Sequence, residues 1–259
     1  MHSVKVSGTV VPYSKEGSGP GLLLVHGTTV NSRANFGQVI ERFTDRREVI
    51  TPDYAGCGRS TIPEGPLSLE LLTEQIAAVA RHATQGPVDL LGDSLGAAVA
   101  AATAARYPSL VRRLVLVAGW ADSADPRHQL VLGTWARLVE TSPELGARFA
   151  MLVGVSPAFL TALGRDVIEA FTLQPPAAHT VRRLELGQRI DIREAARRIV
   201  APTLLIRGTW DYLVPEYQTR ALHELIPGSR CEALDCGHAA FFEKPDEIVR
   251  LVRNFLFEE

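Results

Sequence analysis

A serine between two glycines, in the stretch Gly92-Asp93-Ser94-Leu95-Gly96, is the part of this sequence best suited to do chemistry. It directly follows the apolar run 88–91 and precedes an alanine-rich run, a pattern that predicts a buried strand, a sharp turn and a helix. The glycines let the backbone reverse tightly and hold the serine hydroxyl above the edge of the sheet. The spacing therefore predicts that Ser94 is a nucleophile.

A serine hydroxyl becomes a strong nucleophile only when a base takes its proton and a third group orients that base. Of the seven histidines, His238 is the best candidate base, because it follows the apolar run 230–234 and precedes the last predicted helix. The loop at the carboxyl end of a strand is where α/β sheets place ligands. His26 is a second histidine in such a loop, but its neighbours favour a structural hydrogen-bonding role.

Several aspartates compete for the role of the acid that orients the histidine. Asp211 is favoured, because it enters the loop after the run 203–206, just before a predicted helix. Asp122 and Asp125 follow the preceding predicted strand and are its rivals. Asp235 lies in the same loop as the candidate base and is expected to shape that turn.

Acyl transfer also needs hydrogen-bond donors for a developing oxyanion. The backbone N–H of Leu95, at the start of a predicted helix, is one such donor, and the helix dipole favours negative charge there. The second is expected from Thr28, because Gly27 lets the chain turn after the apolar run 22–25. The hydroxyl of Thr29 could add a polar contact to a substrate.

Short apolar runs alternate with longer helical patterns, which predicts an α/β fold with a mostly parallel eight-stranded sheet covered by helices on both faces. A hairpin formed by 4–6 and 9–13 is expected to open the sheet antiparallel to the rest. The other predicted strands are 21–25, 48–51, 88–91, 114–117, 203–206 and 230–234. The predicted helices of this fold are 34–43, 69–82, 95–107, 216–225 and 245–257.

One segment, 122–198, shows helical stretches and prolines but no strand pattern. We expect it to be a helical insertion after the sixth strand, with 1–121 and 199–259 forming the core domain. Its apolar content would suit a cap over an apolar cleft, and it would equally suit a segment that simply docks on the core. Trp120 and Trp135 are the candidate walls of a pocket.

The composition excludes several classes of protein. The chain has 259 residues, 46% of them hydrophobic and 22% charged, with a formal net charge of -2, so nucleic acid is not an expected partner. No apolar run has the length of a signal peptide or a membrane span, and a cytoplasmic protein is expected. Cys57, Cys231 and Cys236 lack metal-binding spacing. No metal, cofactor or membrane contact is therefore expected. Whether the protein forms a homo-oligomer is left open.

Taken together, the ordered motifs resemble the α/β-hydrolase superfamily, of the serine-nucleophile type with a helical cap, over nearly the full length. They are His26-Gly27, Asp53 with Gly56-Cys57-Gly58-Arg59-Ser60, the stretch Gly92 to Gly96, the stretch Gly208 to Asp211, and Gly237-His238 followed by Glu243-Lys244-Pro245. The resemblance implies Ser94 as nucleophile, Asp211 as acid, His238 as base, and the amides of Thr28 and Leu95 as the oxyanion hole. Ser94 stands where epoxide hydrolases and dehalogenases of the superfamily carry an aspartate, which argues against those activities.

The predicted activity is hydrolysis of an ester, thioester or lactone of a largely apolar small molecule through an acyl-enzyme. The same three residues could also serve carbon-carbon bond hydrolysis, elimination or cyclisation in a biosynthetic pathway. A catalytically weak ligand-binding protein with the same fold is the alternative from a different class, and measured turnover on simple esters would separate it from an enzyme.

Overall fold

The computed structural model describes residues 2–258, and these form one eight-stranded sheet covered by helices on both faces. The strands are β1 (His2–Val6), β2 (Thr9–Gly17), β3 (Gly21–Val25), β4 (Glu48–Pro52), β5 (Val88–Asp93), β6 (Val111–Val117), β7 (Thr203–Gly208) and β8 (Arg230–Leu234). Their order across the sheet is β1-β2-β4-β3-β5-β6-β7-β8. The β1–β2 and β2–β4 pairs are antiparallel and the remaining pairs are parallel, so the fold class predicted from the sequence is confirmed.

The helices are α1 (Ser32–Phe36), α2 (Leu69–Ala83), α3 (Leu95–Arg106), α4 (Pro126–Thr141), α5 (Pro143–Gly154), α6 (Pro157–Thr172), α7 (Thr180–Gly187), α8 (Arg193–Ala196), α9 (Glu216–Leu225), α10 (Ala240–Glu243) and α11 (Pro245–Phe257). The predicted helix 34–43 is wrong as a continuous helix. Helix α1 ends before Gly37, a weak helix former, and a separate 3-10 turn follows at Ile40–Arg42. This break lets Val39, Ile40 and Phe43 all bury their side chains against the sheet.

Successive side chains of a strand point to opposite faces of the sheet, so the core is divided between the two faces. Leu22 and Leu24 of β3 pack on the face that also buries Phe36 of α1 and the apolar side of α11. Leu23 and Val25 face the opposite way, toward α2 and α3. Since both faces are covered there, all five residues of β3 are buried, and its side chains are apolar. The sheet is therefore a rigid platform for the loops at its carboxyl edge.

Helices α4 to α8 all lie between β6 and β7, and we refer to this segment as the helical insertion. Its two ends run side by side, because the N–H of Ser123 donates to the carbonyl of Ile190 (2.9 Å) and the N–H of Ile192 donates to the carbonyl of Ala121 (2.8 Å). Leu132 and Leu184 of the insertion are buried in the same apolar cluster as Leu95 and Trp120 of the core. The insertion is thus packed on the core domain, above the end of β5.

Candidate active site

Ser94 lies in the turn between β5 and α3, with a backbone φ of 55° and ψ of -120°. A positive φ is costly for a residue with a side chain, and it persists only where the surroundings enforce it. Here a Cβ on Gly92 would overlap the carbonyl of Gly96, and a Cβ on Gly96 would overlap the carbonyls of Val25 and His26. The two glycines of the motif are required because α3 starts in direct backbone contact with β3 and β5.

The side chains of Ser94, His238 and Asp211 form a continuous chain of hydrogen bonds. The Ser94 Oγ lies 2.9 Å from the His238 Nε2, and the His238 Nδ1 lies 2.8 Å from the Asp211 Oδ2. A carboxylate can only accept a hydrogen bond, so Nδ1 carries the ring proton and the lone pair of Nε2 faces the serine hydroxyl. This arrangement lets the imidazole take a proton from Ser94.

The acid is held by the backbone of its own loop. The Asp211 Oδ1 accepts from the N–H groups of Leu213 (2.9 Å) and Val214 (2.7 Å), which leaves Oδ2 for the histidine. The loops after β7 and β8 are joined in turn, since the Trp210 N–H donates to the Cys236 carbonyl at 2.9 Å. Parallel strands with adjacent carboxyl ends therefore bring together two residues that are 27 positions apart in the chain.

The rival acids contact other partners. The Asp122 carboxylate forms an ion pair with Arg193 at 3.2 Å. The Asp125 Oδ1 accepts from the backbone N–H of His128 (2.8 Å) and caps α4. Asp235 accepts from the indole N–H of Trp210 (2.8 Å), which fits the expected role in shaping the turn. Of the four candidates, Asp211 is the one that the fold places against His238.

Charges around the base act on its protonation. Burial lowers the pKa of His238, but the charge of Asp211, its hydrogen bond to the ring and the charge of Asp93 together outweigh burial, and the net shift is upward. Asp93 is itself buried, which raises its pKa to about 6 against the opposing effects of His238 and of a hydrogen bond from Asn35 (2.9 Å). The charge of a second carboxylate therefore acts on the same imidazole.

Both predicted oxyanion donors lie close to Ser94. A Cβ on Gly27 would be 3.4 Å from the Ser94 Cβ, which places the Gly27-Thr28 peptide beside the nucleophile. Leu95 is the first residue of α3, where an N–H has no acceptor within the helix. Within residues 2–258, neither the Thr28 N–H nor the Leu95 N–H donates to a protein acceptor. Both are therefore available to a negatively charged oxygen.

A cavity of about 130 Å³ opens onto Ser94 and His238, between the core and the helical insertion. All three predicted pocket residues, Thr29, Trp120 and Trp135, line it. A second cavity, also about 130 Å³, lies under α5 and shares Thr29 and Trp135 with the first. Trp135 therefore lines both cavities, which lie next to each other.

His128 also lines the cavity at Ser94. It is buried 5.0 Å from the Trp120 ring, measured between ring centroids, and burial lowers its pKa to about 4. Its spacing of four and seven residues from Leu132 and Trp135 places all three on one face of α4. This helical spacing relative to Trp135, a predicted pocket residue, is the sequence feature from which a position of His128 at the cavity could have been predicted.

A model of the α/β hydrolase fold family matches residues 20–245. This chain belongs to the α/β hydrolase fold family. It is 38% identical to a pyrrolizixenacetamide deacetylase of Xenorhabdus hominickii, over 100% of this chain and 99% of that protein. It is 29% identical to a putative carbamate hydrolase of Azorhizobium caulinodans, over 95% and 94% of the two chains.

Among solved structures, an α/β hydrolase enzyme from a Medee basin deep-sea metagenome library is similar, with a TM-score of 0.91 at 20% identity, over 100% of this chain and 98% of that one. At that identity the likeness concerns the fold alone. The sequence relatives are hydrolases, and the protein is a hydrolase enzyme of the α/β fold. Within residues 2–258, none of the helices has the length and apolar character needed to cross a membrane.

Proposed function

We propose that this protein is a serine hydrolase that releases an acyl group from an ester, thioester, lactone or amide of a largely apolar small molecule. The observation that carries the proposal is the hydrogen-bond chain from Asp211 through His238 to Ser94, whose Ser94 end lines an apolar cavity. A serine, a neutral imidazole and a carboxylate in this order are the parts that nucleophilic acyl transfer requires.

In the proposed first step, the Ser94 Oγ attacks the substrate carbonyl carbon while its proton passes to the Nε2 of His238. The carbonyl oxygen becomes an oxyanion facing the N–H groups of Thr28 and Leu95. The tetrahedral intermediate then collapses, the imidazolium gives its proton to the leaving oxygen, sulfur or nitrogen, and the acyl group stays on Ser94. Asp211 stabilises the imidazolium and keeps the ring oriented.

In the second step, a water molecule takes the place of the leaving group. His238 removes a proton from this water as it attacks the acyl-enzyme, and the same proton then returns to the Ser94 Oγ when the carboxylic acid is released. Each half-reaction uses the same base and the same oxyanion donors. No other group is needed for the proton balance.

Amides are included because the pyrrolizixenacetamide deacetylase carries an acetamide in its name and matches this chain from end to end. The cavity walls fit an apolar substrate, since Trp120, Leu132 and Trp135 line it. The helical insertion would then act as the cap predicted from the sequence, because it supplies one side of this cavity.

The test is hydrolysis of 4-nitrophenyl acetate and of 4-nitroacetanilide by the wild-type protein and two serine variants. The rate is measured from the nitrophenol or nitroaniline that is released. Ser94→Ala is expected to lose turnover of both, whereas Ser142→Ala, which removes a hydroxyl that makes no capping bond at the start of α5, should behave as wild type. Reactions in H₂¹⁸O should place one heavy oxygen in the released acetate. Equal turnover in Ser94→Ala and wild type would overturn the proposal.

A further inference from the structure

Arg183 of α7 is the largest fully buried side chain among residues 2–258, and it reaches from the helical insertion into the core. Its Nε donates to the carbonyl of Thr28 (2.5 Å) and its Nη1 donates to the carbonyl of Gly56 (2.8 Å). Its Nη2 donates to the Oγ1 of Thr180 within the insertion (3.2 Å). One side chain thus joins the insertion to two loops of the core.

The charge of Arg183 is not neutralised by an adjacent acid. In the described part of the chain, 2–258, no carboxylate oxygen lies within 4.0 Å of its guanidinium, and its hydrogen bonds all go to uncharged oxygens. Its positive charge acts on a neighbouring thiol. Burial raises the pKa of Cys57 to about 12, and the charge of Arg183 works in the opposite direction by favouring the thiolate. Burying a cation without a paired anion costs stability, so a role in the site would account for it.

The contacts of Arg183 bear on the loop that carries a predicted oxyanion donor. The Gly27 carbonyl accepts from the Tyr54 hydroxyl (2.7 Å) and lies 2.8 Å from the His26 Nδ1. In a trans peptide the N–H points away from the carbonyl, so these contacts aim the Thr28 N–H to the opposite side. The next peptide is held by Arg183 through the Thr28 carbonyl. Both peptide planes that meet at Thr28 are therefore fixed.

Tyr54 and His26 belong to the core, whereas Arg183 belongs to the insertion. We propose that Arg183 is a positioning residue that couples the seating of the helical insertion to the oxyanion hole. When the insertion is docked, Arg183 holds the Thr28–Thr29 peptide, which directly follows the Thr28 N–H, and so limits rotation of the backbone at Thr28. It also adds a positive charge near the peptide whose N–H would face the oxygen on which negative charge develops in the transition state. This inference rests on the acyl-transfer function proposed above.

The variants for the test are Arg183→Met, Arg183→Lys and a matched control, Arg182→Met. Arg182 is adjacent on the same helix and also donates to core carbonyls, those of Pro63 (2.8 Å) and Gly65, but it contacts neither Thr28 nor the cavity. The Arg182→Met change removes hydrogen bonds between the insertion and the core but leaves the loop that carries the Thr28 N–H unchanged. The readouts are kcat and KM for an acetate ester, thermal melting, and the inhibition constant of a trifluoromethyl ketone, which forms an oxyanion on an activated serine.

Arg183→Met is expected to lower kcat about 10²-fold, the usual cost of one oxyanion donor, with KM within about threefold of wild type. The inhibition constant of the ketone should rise by a similar factor. Arg183→Lys keeps the charge but not the forked donors, so its kcat should lie between those of Arg183→Met and wild type. Arg182→Met should keep kcat and ketone affinity within about threefold, whatever its melting temperature.

Wild-type kcat and ketone affinity in Arg183→Lys and in a folded Arg183→Met would overturn the inference, as would equal losses in the Arg182 and Arg183 variants. If Arg183→Met does not fold, Arg183→Lys decides alone, and a kcat within threefold of wild type there would overturn it. A wild-type protein with neither turnover nor ketone binding would instead overturn the proposed function, and this inference with it.

Discussion

Replacing Asp211 with asparagine should invert the proton arrangement of the neighbouring histidine. In the native site, one carboxylate oxygen accepts two backbone N–H bonds, from Leu213 and Val214, and the other faces the His238 Nδ1. An asparagine must place its carbonyl oxygen against the two N–H groups, because the opposite orientation would leave two buried donors unpaired. Leaving the two donors unpaired costs at least about 2 kcal/mol, which corresponds to roughly a thirtyfold preference for the first orientation.

The amide NH₂ of the asparagine then faces the His238 Nδ1 and donates to it. The ring is forced to carry its proton on Nε2, which points that proton at the Ser94 hydroxyl and removes the base. We expect kcat to fall on the order of 10⁴-fold, which corresponds to about 5 kcal/mol of lost transition-state stabilisation. Because Asp211 does not line the cavity, KM should change little.

The assay is steady-state hydrolysis of an acetate ester by Asp211→Asn and by Asp125→Asn. Asp125 caps α4, and asparagine caps a helix about as well as aspartate, so Asp125→Asn should be nearly as stable as wild type and keep kcat within a few-fold of it. If Asp211→Asn kept more than a tenth of the wild-type kcat, the tautomer argument would be refuted. A larger loss in Asp125→Asn would instead assign the acid to that residue.

The other predictions test the nucleophile, the base, the turn and the pocket. Ser94→Ala should lower turnover by on the order of 10⁴ to 10⁶ with an unchanged circular dichroism spectrum, and wild-type turnover would contradict an acyl-enzyme. The pH midpoint of kcat/KM should lie above the ordinary histidine value of about 6.5, because His238 must be neutral to act as base and its pKa is raised. Asp93→Asn removes a negative charge that raises this pKa, so its midpoint should move to lower pH, and a move to higher pH would refute the electrostatic account. Gly96→Ala should abolish activity and lower the melting temperature, since a Cβ there would overlap two carbonyls of the adjacent strand and loop; a variant as stable and active as wild type would show that the turn can open. Trp135→Ala should raise kcat/KM for octanoate esters relative to acetate esters by joining the two cavities, and an unchanged ratio would show that the second cavity does not receive the acyl chain.

The sequence predicted most of the fold because the signals were local. Most of the central strands are short, mainly apolar runs, and the turn at Ser94 is defined by five consecutive residues, so no distant contact had to be known. Asp211 and His238 could be proposed because residues just after parallel strands meet at one edge of the sheet. The fold class and the family are confirmed, whereas the catalytic roles and the boundaries of the cap stay predictions.

The contacts that the sequence could not predict join distant parts of the chain. The bond from Arg183 to the Thr28 carbonyl spans 155 positions, and no local pattern distinguishes that arginine from Arg182 beside it. The break after Phe36 was missed because the apolar spacing of 34–43 fits a helix, while the packing of Val39 and Ile40 against the sheet decides the outcome. Burial of His128 likewise depends on how the insertion docks.

Labelling with a fluorophosphonate tests the central claim most directly, because the probe reacts with a serine only when a base and an oxyanion hole are assembled around it. Intact-mass and peptide mapping of the folded protein should show one adduct, on Ser94, absent in Ser94→Ala and formed far more slowly in His238→Ala. The labelling rate should rise with pH as His238 loses its proton. No adduct on folded wild-type protein at pH 8, or an adduct on another residue, would contradict the account.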